Sequence, residues 1–83
     1  MQTSIYADNI MVDTIRSKEY ADFVGKLRKA RLEIGLRQID VAKKLKRTQS
    51  YVSRVEMGEQ RLDILELKKF SELYKKNLNY FIK

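Results

Sequence analysis

Residues Leu36 to Gly58 read LRQIDVAKKLKRTQSYVSRVEMG, and this stretch decides the fold. It holds two short runs at helical spacing. From about Gln38 to Leu45, Val41, Ala42 and Leu45 share one face. From about Gln49 to Met57, Val52 and Val55 do the same. The tight turn Lys46-Arg47-Thr48 separates the runs. The Thr48 hydroxyl is suited to cap the second run, and Gly58 stops it. Ala42 lies where the two helices must approach closely. The pattern is that of two short helices joined by a turn.

The flanks extend the helical reading. Upstream, Tyr20, Val24, Leu27, Ala30 or Arg31, and Ile34 recur at helical spacing. Ser17 is the N-cap candidate, and Gly35 supplies a left-handed C-terminal stop. Downstream, Asp63 with Glu66 three residues on forms a capping box. Leu67, Phe70, Leu73 and Tyr74 follow as the buried stripe of a fourth helix, with Leu65 also assigned to the core. Leu78, Tyr80, Phe81 and Ile82 make a last helical turn that closes the core. Residues 1–16 fit neither a helical nor a strand period, yet carry Ile5, Tyr6, Ile10, Met11, Val12 and Ile15. They are expected to form a partly ordered N-terminal arm. Residues 17–83 are expected to form one all-α, five-helix domain.

Composition narrows the chemistry. The 83 residues contain no cysteine, no histidine and no proline. That removes thiolate and imidazole metal sites, cysteine nucleophiles and histidine bases. No metal and no cofactor is expected, and no residue set converges at catalytic spacing. No apolar run approaches the roughly 18 residues of a membrane span. No basic start leads into an apolar block as in a signal peptide. A soluble cytoplasmic protein is the expectation, with no membrane partner.

The charge is uneven. From Lys26 to Arg54 there are ten basic and two acidic residues, a net of +8 in a chain whose total is +7. A basic patch confined to one stretch of a small domain is the electrostatic footprint of a nucleic-acid binder. The outward side chains of the third helix are then Gln49, Ser50, Ser53 and Arg54. All are polar and none is acidic. Glutamine can bond adenine N6 and N7 together, and arginine guanine O6 and N7.

At Leu36–Gly58 the sequence resembles the helix-turn-helix of the Cro/cI-like (XRE) family. The residues that carry the likeness are Gly35-Leu36, Gln38, Ala42, Leu45, Gln49-Ser50, Val52-Ser53-Arg54-Val55-Glu56 and Gly58. Leu62-Asp63 and Leu78-Asn79 follow at matching distances, so the likeness spans about Leu27 to Phe81. It implies a lambda-repressor-like domain that binds double-stranded DNA. It implies that Gln49, Ser50 and Arg54 read bases, and that Gln38 anchors a phosphate and braces Gln49. Thr48 and Ser53 are implied phosphate contacts, and Arg31 is implied to pair with Glu56 as a structural ion pair. Three positions depart from the family pattern. Lys46 replaces a turn glycine, at a cost of about 1 kcal/mol if the left-handed backbone is kept. Arg37 replaces the usual Ser or Thr cap of the second helix, leaving Asp40 to serve that end. Met57 replaces a common Asn. Arg37, Lys46 and Arg47 join the expected phosphate contacts.

The function expected is a sequence-specific transcriptional regulator, a repressor, binding a palindromic operator as a homodimer. The dimer surface is expected in Leu73–Ile82 or in the N-terminal arm. The competing expectation is a protein-interaction module, such as an antitoxin, whose DNA binding is autoregulatory. Its partner would be a toxin, where a regulator's would be polymerase.

Overall fold

The computed structural model describes residues 18–82, which form five helices. They are α1 (Lys18–Glu33), α2 (Gln38–Leu45), α3 (Gln49–Glu56), α4 (Ile64–Tyr74) and α5 (Leu78–Ile82). The Ser17 cap and the arm expected at 1–16 lie outside the described residues.

At eight residues each, α2 and α3 are too short to hold a helix in water alone. Tertiary packing holds them. Val41, Val52 and Val55 have no solvent exposure, and each contributes about 1.5–3 kcal/mol by its burial. Ala42 is equally buried, as its place between the helices requires. Leu27 and Ala30 of α1, Phe70 and Tyr74 of α4, and Phe81 of α5 complete the core. α1 packs against α3, α4 and α5, while α2 packs against α3. The long first helix is thus the platform on which the α2–α3 pair rests.

The first four helices end in the same way. After each, one residue adopts a left-handed backbone and two backbone N–H groups turn back to the last carbonyls. For α1 these bonds run from Gly35 to Leu32 and from Leu36 to Arg31. For α2 they run from Lys46 to Lys43 and from Arg47 to Ala42. Gly58 and Glu59 close α3, and Lys75 and Lys76 close α4. Two of the left-handed residues are glycines and two are lysines, Lys46 at φ 58° and Lys75 at φ 59°. The departure at Lys46 therefore keeps the glycine-type conformation and bears its strain. Lys75 does the same at the end of α4.

The starts also follow their residues. Thr48 Oγ1 accepts from the Tyr51 N–H at 3.1 Å. Asp63 and Glu66 exchange both bonds of a capping box, at 2.8 and 3.0 Å. At α2 only one half of such a box exists, because a guanidinium has no acceptor. The Asp40 carboxylate takes the Arg37 backbone N–H at 2.9 Å and is held by the guanidinium at 3.0 Å. These bonds, the guanidinium's foremost, pull the Asp40 carboxyl down to about 2.

Two core assignments need correction. Leu65 is 67% exposed and Ile82 is 58% exposed. The buried positions of α4 are Leu67, Phe70, Ser71 and Tyr74, spaced by three and four. Leu65 is two residues before Leu67, which turns it about 200° away from that stripe. Leu73 sits at the stripe's edge and is half-buried. In α5, Phe81 faces inward, so its neighbour Ile82 faces out.

Candidate nucleic-acid interface

Helix α3 is fixed on its inner side and open on its outer side. Tyr51, Val52 and Val55 are buried, while Gln49, Ser50 and Arg54 are exposed and Ser53 is half-buried. The helical wheel places positions 49, 50, 53 and 54 within one arc of about 140°. All four therefore present polar groups on one face. Arg54 donates to Ser50 Oγ at 2.8 Å, one turn back on that face. The two expected base-reading side chains thus orient each other.

The turn that leads into α3 is basic. Lys43, Lys44, Lys46 and Arg47 are all exposed or half-exposed around it. Among the described residues, no carboxylate pairs with Lys43, Lys44, Lys46 or Arg54. Thr48, at the same end, is exposed and spends its hydroxyl oxygen on the cap. Arg37 lies at the start of α2 with its guanidinium on Asp40, and its side chain stays 76% exposed.

A buried ion pair holds the far end of α3. Arg31 Nε lies 2.6 Å and Nη2 3.0 Å from the two Glu56 oxygens, a bidentate fork. The side chains are 8% and 4% exposed. A loose surface pair is thereby excluded. The remaining Arg31 nitrogen donates to the Leu36 carbonyl at 2.9 Å, tying in the chain before α2. Gln38 donates its amide N–H to Glu56 at 3.0 Å. The Gln38 nitrogen is thus committed to Glu56 rather than to the expected brace on Gln49. One carboxylate joins α1, α2 and α3. Acceptance by Glu56 raises the Arg31 pKa above its ordinary value. The nearby Tyr74 hydroxyl is buried without a hydrogen-bond partner among the described residues. Burial and then the Glu56 charge raise its pKa.

A second anchor was not legible beforehand. Tyr51, a residue type suited either to the core or to a sugar-phosphate backbone, is 3% exposed. Its hydroxyl donates to Glu66 at 3.1 Å, and the Arg47 guanidinium lies 3.6 Å from its ring centroid. Burial first, and then Glu66, push the Tyr51 hydroxyl up to about 12. The capping-box spacing revealed Glu66, but nothing in the spacing disclosed its partner in α3.

Helix α3 is thus capped, anchored at both ends and bare on one polar face. A family model described as helix-turn-helix matches residues 27–81. The chain belongs to that family. The match is of the XRE, Cro/cI-like type and covers the span over which the sequence likeness runs. The domain is therefore a DNA-binding one of the transcription-regulator type, with double-stranded DNA as its partner, and the family is not typically enzymatic. A search of curated proteins finds no match. Among the described residues, no helix is long and apolar enough to cross a membrane.

Proposed function

We propose that this protein is a sequence-specific transcriptional repressor of the cytoplasm that binds a palindromic operator as a homodimer. The observation that carries the reading is the outer face of α3. It offers Gln49, Ser50 and Arg54 to solvent on a helix held rigidly from behind by Glu56 and Tyr51. Gln49 and Arg54 supply the two bidentate base contacts, to adenine and to guanine. Ser50 adds a hydroxyl. Gln38, Arg37, Lys46, Arg47, Thr48 and Ser53 surround them and meet phosphates, which fix register and orientation.

Three base-reading side chains cover too few base pairs to select one site in a genome. Two copies related by a two-fold axis double the sequence read. The half-sites then lie about 34 Å apart, one turn of the duplex. Occupancy of that operator excludes polymerase from the promoter.

Selection from randomised duplex DNA at about 0.15 M salt tests this. A palindrome with half-sites one turn apart is expected. Enrichment of an asymmetric single site removes the dimer. Salt-sensitive binding of every sequence alike, with no enrichment, removes sequence reading.

A further inference from the structure

We propose that Tyr51 and Glu66 are positioning residues that hold the Arg47 guanidinium as a preset phosphate fork at the start of α3. The inference rests on the DNA-binding reading and deepens it.

Arg47 sits between the left-handed Lys46 and the cap residue Thr48. Its guanidinium lies over the Tyr51 ring, 3.6 Å from the centroid. One of its nitrogens reaches Glu66 at 3.4 Å, and the side chain keeps 44% of its exposure. Five donors sit on a guanidinium. One nitrogen is tethered to Glu66, and with 44% of the side chain exposed the guanidinium keeps donors that solvent or a phosphate can reach. The group stands at the end of α3 where the macrodipole favours an anion.

The platform is itself fixed. Tyr51 is buried and stacks on Phe70 with ring centroids 6.3 Å apart. Glu66 accepts the Asp63 backbone N–H at 3.0 Å and the Tyr51 hydroxyl at 3.1 Å. Sharing the carboxylate among three donors spreads its negative charge, which moderates its repulsion of a phosphate. A free surface arginine gives up rotamer freedom when it docks on a phosphate. One already stacked and tethered gives up less. The planar group also matches phosphate geometry, which an ammonium does not.

A double-mutant cycle reads this directly. Arg47→Ala, Glu66→Gln and the double variant are titrated onto a random-sequence duplex, since phosphate contacts need no particular sequence. Glutamine keeps an oxygen for the Asp63 N–H, so the cap of α4 survives. Removing the Glu66 charge strengthens binding through the overall field whether or not Arg47 is present. The coupling between positions 47 and 66 isolates positioning from that field effect. If Glu66 positions Arg47, Glu66→Gln is less favourable with Arg47 in place than in the Arg47→Ala background, by about threefold. Zero coupling, or coupling of the opposite sign, overturns the proposal. Arg47→Lys is the second variant. It keeps the charge, so equality with wild type overturns a preset fork, while a loss close to that of Arg47→Ala supports it. Failure of the wild type to bind any duplex removes the DNA-binding reading itself. Wild-type binding without coupling removes only the positioning role.

Discussion

Glu56 ties three helices together through one carboxylate. Both of its oxygens lie on Arg31, and one also accepts from Gln38. Truncation to alanine leaves a guanidinium buried without its counter-charge. Breaking one side of such a pair costs about 3–5 kcal/mol, a large share of a small domain's total stability. Glu56→Ala is expected to lose that much in urea denaturation, and a loss below about 1 kcal/mol would remove the pair from the stability of the fold. Replacing both partners by apolar residues of similar volume is a milder change, because no orphan charge remains. The sequence likeness paired these residues correctly. Only the structure shows that the pair is buried and that it also fastens the chain before α2 through Leu36.

At the scale of elements, the helix ends carry an unused reserve of stability. Lys46 and Lys75 hold left-handed backbones that glycine adopts without strain. Lys75→Gly is expected to stabilise the domain by about 0.5–1 kcal/mol in thermal melts, after allowing for glycine's greater unfolded-state freedom. Lys46→Gly is expected to gain about as much. The two differ on DNA. Lys46 lies in the turn before α3, so its loss lowers the salt dependence of DNA binding. Lys75 lies at the end of α4 and leaves that dependence unchanged. A destabilised Lys75→Gly variant would show that its side chain, rather than its backbone, decides that position. The elements themselves were largely legible from residue types. Gly35, Gly58, Thr48 and the Asp63–Glu66 pair mark their boundaries because capping is local chemistry, complete within a few residues. Leu65 was misplaced because a run of apolar residues at a helix start does not by itself set the phase of the buried stripe.

For the molecule as a whole, the proposed function draws affinity and specificity from different places. Lys43, Lys44, Lys46 and Arg47 provide a field around the turn, whereas Arg54 projects from the open face of α3. Arg54→Ala is expected to cost about 1–3 kcal/mol on the selected operator and to relax selection at one base pair per half-site. Random DNA is expected to feel much less of that loss. Equal losses on operator and random duplex would move Arg54 from base reading to phosphate contact. Ser50 shares in this outcome through its bond to Arg54. Ser50→Ala is therefore predicted to blur the same base pair.

By itself the sequence determined the helices, the turn between α2 and α3, and the polar face of α3. All of these follow from local spacing, capping and turn chemistry. It also localised the positive charge, because the basic residues crowd one stretch. Tertiary structure alone decided what stands behind that face. Glu66 meets Tyr51 across 15 positions and Glu56 meets Arg31 across 25. No local period encodes such distances. The packing of α1, α3 and α4 brings these carboxylates into place, and low solvent exposure there turns ordinary polar residues into fixed anchors.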